Sequence, residues 1–438
     1  MGEPPLFREP LMPETSPSPS HPTRTPSRDG GPPASTTEEG RQRLLRSPAG
    51  GIPPVITTRE DLVEIASRLR ASHEPVAIDT ERAQGYRYGG GAYLVQIRKE
   101  NVGTFLIDPR AFTTLSALAP ALAETWILHA ADQDLLCLRD IGLEPTSIFD
   151  TEIAARLVGY TRFSLGALTE QILGITLEKS HQNEDWSLRP LPVDWLRYAA
   201  LDVELLPALH STLSSLLADA GRSEWARQEF AHDLTHPLLP RDHGWRDLKG
   251  LGKIRTRRGL AIARELWKVR EELGKELDVS PGRILATDGI VAAALVAPTT
   301  RRGLTSLEQF RRARARKHMD LWWSAISKAR SLPDDALPPL KVPPNPHYVP
   351  PANLWRRNNP EAWERLQTMR HLAEKAAEPL GLQAEVVLEP RTQREVAWTP
   401  LPGDLGEALT RAGARPWQVE HITRVTSPQI SKRLGRGS

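Results

Sequence analysis

The stretch Val76-Ala-Ile-Asp-Thr-Glu81 decides the fold, because it joins an apolar strand to two acidic residues at its end. Alternate residues of an extended segment point to the same side, so Asp79 and Glu81 are predicted to project together. Two further apolar runs, Tyr93-Leu-Val-Gln-Ile97 and Thr104-Phe-Leu-Ile107, lie on either side of a short turn. The three strands are therefore predicted to form a meander.

Beyond this meander the chain alternates between strand and helix patterns. Trp126-Ile-Leu-His129 is a fourth candidate strand, and helical patterns follow at 133–140, 150–159, 164–173 and 194–217. The front part of the chain is therefore predicted to be an α/β domain.

Length and composition exclude several classes of protein. The 438 residues are enough for two or three domains of ~100–200 residues each. No run approaches the ~18–20 uninterrupted apolar residues of a membrane span, and the first residues lack an apolar signal-peptide core. The single cysteine, Cys137, excludes an internal disulfide framework and a cysteine-built zinc site. We expect no membrane contact, no disulfide-linked partner and a reducing, cytoplasmic location.

Proline clusters suggest how the chain is divided. Thirteen prolines fall within residues 1–54, and eight lie between Leu332 and Pro351. Such segments bury too little apolar surface to offset the entropy of ordering, or form stiff extended linkers. The predicted organisation is a disordered arm (1–54), an α/β domain (55–218), a connector (219–250), a helical domain (251–332), a Pro-rich linker (333–352) and a second helical domain (353–438).

The net charge of +3 conceals an uneven distribution. Residues 1–54 are neutral, residues 55–215 carry 14 basic against 22 acidic side chains, and residues 216–438 carry 37 against 26. A basic half suggests a polyanionic partner, although Arg-rich helices that merely solvate themselves would give the same count.

Two more acidic residues stand at predicted element ends. Asp134 follows the fourth strand and opens a helix, and Asp202 lies four residues after Tyr198, on the same helix face. Singly, each acid has an ordinary explanation as a cap, a dipole partner or a solvated loop residue. Their order and spacing together point to one constellation.

Residues 55–215 resemble the ribonuclease D family of the DEDD superfamily of 3′–5′ exonucleases. The matching stretches, in family order, are Ala77-Ile-Asp-Thr-Glu81, His129-Ala-Ala-Asp-Gln-Asp-Leu135, Phe149-Asp-Thr-Glu-Ile-Ala-Ala155, Glu184-Asp-Trp-Ser-Leu-Arg-Pro190 and Tyr198-Ala-Ala-Leu-Asp-Val203. The superfamily's histidine variant would place histidine at Arg197, so the tyrosine subtype fits. The resemblance implies a ribonuclease H-like mixed sheet followed by two small all-α domains.

The same resemblance implies the roles of the site residues: Asp79, Glu81, Asp134 and Asp202 bind metal, and Tyr198 is the catalytic tyrosine. Carboxylates gathered in one pocket repel each other unless cations neutralise them, and Mg²⁺ or Mn²⁺ prefers oxygen ligands. Two such ions can activate a water and stabilise the leaving 3′ oxygen. Asp79 is expected to bridge both ions, Glu81 and Asp202 to complete the first site, Asp134 to hold the second ion, and Tyr198 to orient the water.

Within the basic half, residues 251–331 resemble a helicase-and-ribonuclease-D C-terminal (HRDC) domain. The matching runs are Gly259-Leu-Ala-Ile-Ala-Arg-Glu-Leu-Trp-Lys-Val-Arg-Glu-Glu-Leu273 and Asp278-Val-Ser-Pro-Gly-Arg-Ile-Leu-Ala-Thr-Asp288. Residues 353–432 repeat the order of long helix, loop, apolar triplet and helix, and are interpreted as a degenerate second copy.

Several residues are candidates for contacting nucleic acid. The basic ones, which can neutralise phosphates, are Arg301, Arg302, Arg311, Arg312, Arg314, Arg316 and Lys317. His129 and Gln96 are also candidates, with a structural histidine and an ordinary polar strand residue as the alternatives. Trp322 and Trp323 either stack on bases or fill the core of a helix.

The resulting hypothesis is a metal-dependent 3′–5′ exoribonuclease that releases 5′-nucleoside monophosphates from RNA with a free 3′ end, with tRNA precursors as expected substrates. Two alternatives stay open: the same chemistry on DNA, and a non-catalytic nucleic-acid-binding scaffold. No residue in the sequence identifies a 2′-hydroxyl contact, so the preference for RNA rests on the resemblance.

Overall fold

A six-stranded mixed sheet forms the centre of the α/β domain. The computed structural model describes residues 43–177, 184–236, 244–341, 348–401 and 403–435. The sheet contains β2 (Val55–Ile56), β3 (Val76–Arg82), β4 (Ala92–Lys99), β5 (Gly103–Ile107), β6 (Trp126–Leu128) and β7 (Ile148–Asp150). Its strand order is β2-β5-β4-β3-β6-β7.

The strand that carries the first two acids lies inside this sheet. β3 pairs antiparallel with β4 and parallel with β6, so it is an interior strand of the sheet, and its apolar residues Val76, Ala77 and Ile78 are buried. A register shift between Glu81 and Arg82 ends the regular pairing directly after the second acid. The predicted meander and fourth strand are confirmed, and β7 is a three-residue strand that the pattern did not indicate.

Seven helices accompany the sheet in the described residues. They are α1 (Arg59–Arg70), α2 (Leu135–Asp140), α3 (Thr151–Leu157), α4 (Leu165–Leu173), α5 (Val193–Glu204), α6 (Leu206–Asp219) and α7 (Ser223–Thr235). The prediction of one helix over 194–217 is wrong. The chain instead forms two helices that meet at Leu205, and Pro207, which lacks a backbone donor, lies in the first turn of the second.

The predicted arm contains ordered residues at its end. β1 (Arg43–Leu45) pairs in parallel with β8 (Ile175–Leu177), and Ala49 donates a backbone hydrogen bond to Glu204. The assignment of 43–54 to a disordered arm is therefore wrong, because a partner strand more than a hundred residues away orders this segment. Residues 1–42 lie outside the described residues.

The first helical domain has a hydrophobic core of its own. Its helices are α8 (Arg257–Leu277), α9 (Pro281–Ile284), α10 (Thr287–Val296), α11 (Arg301–Thr305), α12 (Glu308–Arg311), α13 (Ala313–Lys317) and α14 (Met319–Ser331). Thr256 caps α8 by accepting from the backbone of Gly259. Trp322 is fully buried and donates to Ala315, so it is a core residue.

The described part of the Pro-rich linker begins against this domain. Arg257 and Arg246 donate to the carbonyls of Leu337 and Pro339, and Leu337 is buried. Residues 342–347 lie outside the described residues.

The second helical domain is continuous with the α/β domain. Its helices are α15 (Trp355–Asn358), α16 (Pro360–Ala377), α17 (Ala384–Val387), α18 (Pro390–Trp398), α19 (Leu405–Arg411), α20 (Pro416–Arg424) and α21 (Pro428–Leu434). Its buried apolar residues belong to the same hydrophobic cluster as those of the sheet. Helix α7 joins the two, because it packs against α3 and β7 and also against α20.

No helix in the described ranges is both long and apolar enough to cross a bilayer.

Candidate active site

Three carboxylates converge where α5 crosses the sheet. Asp79 and Glu81 leave β3 on the same side, and α5, which packs across β3, β4 and β5, brings Asp202 to them. Each offers one oxygen, and these oxygens lie within 4.8 Å of one another. Glu81 is buried, and Asp79 and Asp202 are partly exposed. The structure thus brings together three of the four acids predicted to bind metal.

The pKa values of these three carboxyl groups show that ionising them together is unfavourable without a cation. Burial, and secondarily the charge of Asp202, raises the pKa of Asp79 to about 7. Burial also raises the pKa of Asp202 to about 7, although its hydrogen bond with Tyr198 opposes the shift. The pKa of Glu81 is raised by burial and then by its acidic neighbours. Three ionised carboxylates at this spacing therefore require positive charge.

The fourth acid, Asp134, lies outside this group of three and is hydrogen-bonded to Thr80. Asp134 stands at the N-cap position of α2 and accepts a hydrogen bond of 2.5 Å from the Thr80 hydroxyl. Thr80 lies between the two strand acids in sequence and points to the opposite face of β3. Burial and then the charge of Asp79 raise the pKa of Asp134 to about 8, so Asp134 is electrostatically coupled to the carboxylate group.

Tyr198 lies beside Asp202, as its i, i+4 spacing predicts. The two side chains are hydrogen-bonded, and burial together with the neighbouring acids raises the pKa of Tyr198. The phenol consequently keeps its proton near neutral pH and can act as a hydrogen-bond donor. Its ring packs near Trp186, with ring centroids 6.3 Å apart.

The segment 184–190 packs beside Tyr198 and is fixed by hydrogen bonds. Trp186 is fully buried, and Arg189 anchors the segment by binding both oxygens of Asp108 at 2.5 and 2.8 Å. The same guanidinium donates to the carbonyls of Trp186 and Tyr93. Trp186 and Arg189 belong to one of the stretches that carry the resemblance, but only the tertiary contacts reveal their supporting role.

Asp150 shapes the loop that leads to Asp134. Its carboxylate accepts from the backbone of Glu152 and Ile153 and so caps the N-terminus of α3. It also accepts from Ala130 and Ala131. Ala130 has a φ of 58°, an unusual conformation for a residue with a Cβ, and these hydrogen bonds hold it there.

His129 is half-buried at the same loop. Its Nδ1 lies 2.9 Å from the hydroxyl of Thr151, which itself donates to the carbonyl of Leu128. Because that hydroxyl proton is already used, Nδ1 carries the ring proton and donates to Thr151. Burial lowers the pKa of His129 to about 4, so the ring is neutral at physiological pH. Its contact with nucleic acid stays a prediction.

Gln96 lies inside the molecule. It pairs with Asp79 across β3 and β4 and has no exposed surface, which contradicts its predicted contact with nucleic acid. A strand residue covered by α5 cannot reach a substrate from that position.

The loop after Glu81 rests on the first helical domain. Asp278 faces Arg87 at 3.7 Å and accepts from the backbone of Tyr88 and the hydroxyl of Tyr93, both at 3.4 Å. Arg283 donates to the carbonyl of Gly85. Arg87 in turn donates to Ser187, next to Trp186, so these contacts continue towards Tyr198.

The seven basic residues predicted to contact phosphates are all exposed on the first helical domain. Arg301 pairs with Asp320 at 2.6 Å, and Arg312 lies 3.7 Å from Glu308. The remaining five are Arg302, Arg311, Arg314, Arg316 and Lys317.

The donor set fits a divalent metal. All four acids offer oxygen, the ligand atom of hard cations, and three of them, Asp79, Glu81 and Asp202, are close enough to share one ion. The charge of Arg82, which the sequence did not single out, partly offsets the rise that burial causes in the pKa of Asp79, Glu81 and Asp134. One arginine cannot neutralise four ionised acids, so the pocket keeps a net negative charge that a metal cation can balance.

The fold and the carboxylate pocket define a class, the 3′–5′ exonucleases. Residues 53–218 match the family model described as 3'-5' exonuclease, residues 259–326 match the HRDC domain, and residues 348–432 match the 3' to 5' exonuclease C-terminal domain. The last region thus matches a model other than HRDC, and its interpretation as a second HRDC copy stays a prediction.

Curated relatives and solved structures narrow the class. The chain is 32% identical over 320 residues to ribonuclease D of Acidiphilium cryptum, covering 70% of this chain and 80% of the relative. It is 30% identical to ribonuclease D of Escherichia coli K12, covering 65% and 76%. A Bifidobacterium adolescentis crystal structure matches with a TM-score of 0.81 at 33% identity, covering 90% and 100%. The crystal structure of Escherichia coli RNase D shares the fold, with a TM-score of 0.62 at 24% identity, covering 82% and 98%. The chain belongs to the ribonuclease D family.

Proposed function

We propose that this 3′–5′ exoribonuclease hydrolyses the last phosphodiester bond of an RNA chain and releases 5′-nucleoside monophosphates. The observation that carries the proposal is the carboxylate group of Asp79, Glu81 and Asp202, with the protonated phenol of Tyr198 hydrogen-bonded to Asp202. Two divalent cations, Mg²⁺ or Mn²⁺, would supply the activated water and the stabilisation of the leaving oxygen.

The chain's own residues have distinct roles in this chemistry. Asp79, Glu81 and Asp202 would hold one ion, and Asp134, oriented by the Thr80 hydroxyl, would contribute to the second. Tyr198 would orient the attacking water by a hydrogen bond rather than remove its proton, because its pKa is raised and its own proton is engaged by Asp202.

While the 3′ end of the RNA lies in the carboxylate pocket, the phosphates further along the chain can bind a separate basic surface. The exposed cations of the first helical domain, Arg311, Arg314, Arg316 and Lys317 among them, provide attraction without sequence readout. The preference for RNA with a free 3′ end rests on membership of the ribonuclease D family, and tRNA precursors are the substrates that we propose. The cytoplasmic location rests on the single cysteine, Cys137, which is buried and unpaired.

The direct test compares matched RNA and DNA oligonucleotides that carry either a free 3′ hydroxyl or a 3′ phosphate. We expect stepwise release of 5′-monophosphates from RNA with a free 3′ hydroxyl. Internal cleavage, or equal release from DNA, would contradict the proposal.

The basic surface can be tested separately. The Arg314→Gln/Arg316→Gln variant is expected to bind long RNA more weakly, with a salt dependence reduced by ~0.7 in logarithmic slope for each lost phosphate contact. The Arg356→Gln/Arg357→Gln variant removes two exposed charges from the second helical domain as a control. An equal loss in both variants would show that only net charge matters.

A further inference from the structure

Gln96 is a buried polar residue whose side chain has no hydrogen-bond partner among the described residues. It lies in the middle of β4 with no exposed surface. Neither its Oε1 nor its Nε2 has a hydrogen-bond partner in the described part of the chain. Most buried side-chain amides are satisfied, because an unmade hydrogen bond in a protein interior costs stability.

The strand register places this amide beside the carboxylate group. Gln96 pairs directly with Asp79 across β3 and β4. Directly opposed residues of antiparallel strands point to the same face, with Cβ atoms ~4.5–5.5 Å apart. The side chains of Gln96 and Asp79 therefore face the same side of the sheet, although no hydrogen bond joins them in this structure.

Packing independently identifies the face. Leu94, two residues before Gln96 and therefore on the same side of β4, packs in one cluster with Trp186 and Ala199. Val95 and Ile97 belong instead to the main core on the other side of the sheet. Gln96 thus lies under α5, the helix that carries Tyr198 and Asp202.

We propose that Gln96 is a positioning residue for the metal site, whose Nε2 donates a hydrogen bond to the Asp79 carboxylate when Asp79 ligates a cation. A ligating carboxylate uses one oxygen for the ion and leaves the other to accept a hydrogen bond. Such outer partners fix the orientation of a ligand and are worth ~10–100-fold in metal affinity. The proposal rests on the metal-dependent function above and adds a residue that does not itself touch the metal.

The arrangement makes an unusual prediction about stability. In the metal-free protein the Gln96 amide is buried and makes no hydrogen bond with the described residues. Replacing it with an apolar side chain of similar length should therefore stabilise the fold. In the metal-bound protein the same replacement removes a useful hydrogen bond. A residue kept for packing alone would give the opposite result for stability and none for metal binding.

The experiment uses the full chain with the substitution Gln96→Met, whose unbranched side chain has similar length. We expect the metal-free unfolding midpoint to rise by about 2–4 °C. We expect the affinity for Mn²⁺, measured by calorimetry, to fall about 10–100-fold. Gln96→Leu repeats the test if the methionine variant does not fold.

The matched control is Thr176→Val in β8. The Thr176 hydroxyl is also buried without a partner among the described residues, but it is not one of the metal-site residues. This variant should raise the midpoint and leave the Mn²⁺ affinity unchanged, which would separate removal of a buried polar group from loss of a ligand partner.

An unchanged Mn²⁺ affinity in Gln96→Met, or an equal loss in Thr176→Val, would overturn the proposal. If both the wild-type chain and the variant bind Mn²⁺ with the same affinity, the proposed role of Gln96 is wrong and the proposed metal chemistry is unaffected. If the wild-type chain binds no Mn²⁺, the proposed metal chemistry fails with it.

Discussion

At the scale of single residues, the acids that would bind the metal also destabilise the fold when they are ionised and no cation is bound. Asp79, Asp134 and Asp202 have pKa values raised to about 7, 8 and 7, mainly by burial. Burial is the first cause for all three, and for Asp79 and Asp134 the charge of a neighbouring carboxylate adds to it.

This gives a pH dependence with a definite sign. A carboxyl group whose folded pKa exceeds its unfolded value binds protons more tightly in the folded state. Its contribution to stability is therefore complete below the ordinary value of 3.8 and is lost as the pH rises to about 7–8. The metal-free protein should unfold at a lower temperature at about pH 8 than at about pH 5.

Added Mn²⁺ should raise the unfolding midpoint more at the higher pH, because ionised carboxylates bind it better. The Asp79→Asn variant, which cannot ionise at this position, should show a smaller pH-dependent loss in chelator. An identical loss in wild type and variant would contradict the assignment of the effect to this group.

At the scale of elements, the first helical domain contacts the catalytic loop through one turn. Asp278 ends α8 with a φ of 48° and holds Arg87, Tyr88 and Tyr93. Gly274 makes room for this contact, since a Cβ there would lie 3.0 Å from the ring of Tyr88. The domain therefore supports the loop that begins directly after Glu81.

Removing the Asp278 side chain should impair the chemistry even on a substrate too short to touch the helical domain. Asp278→Gly keeps the left-handed backbone without strain and is expected to lower kcat on a diribonucleotide about tenfold, with KM nearly unchanged. Glu276→Gln, an exposed acid on the same helix, is the charge control. A defect confined to long RNA would show that the domain only binds substrate.

At the scale of the whole molecule, the second helical domain is part of the catalytic unit. Trp417 stacks on Trp225 of α7 with ring centroids 4.7 Å apart and donates to the buried Glu229 at 2.6 Å. Arg415 pairs with the same Glu229 at 2.5 Å. The interface thus combines aromatic burial with a desolvated ion pair.

Trp417→Ala should accordingly destabilise the whole unit, by about 3–5 kcal/mol for the loss of a large buried aromatic. Denaturant unfolding should show one transition for the α/β and second helical domains, shifted to lower denaturant in the variant. Trp363→Ala, at a partly buried position of α16 outside this stack, gives the comparison. Two separate wild-type transitions would contradict the shared core.

Much of the catalytic constellation could be predicted from sequence because it is encoded locally. Strand alternation places Asp79 and Glu81 on one side, and helix periodicity places Tyr198 beside Asp202. Their joint role in a metal site was implied by the resemblance to the ribonuclease D family. Gln96 was misplaced, because a strand pattern does not say which residue a helix will cover. The roles of Thr80, Asp150 and Asp278 depend on tertiary contacts that no periodicity encodes.

The boundaries show the same limit. Short strands such as β7 and β1 have too few residues to establish a pattern, and β1 is ordered only by pairing with distant β8. The acidic front and basic back of the chain, hidden in a net charge of +3, could be counted from sequence, but the core shared by the α/β and second helical domains could not.

The most direct test of the account is release of 5′-monophosphates from a 3′-extended RNA by wild type and Asp79→Asn in the presence of Mg²⁺. We predict release by the wild type, abolition by chelator, and loss of at least about a hundredfold in the variant, since the cation's ligand set is broken. Equal release by both proteins, or release that persists in chelator, would contradict a metal-dependent site built on these carboxylates.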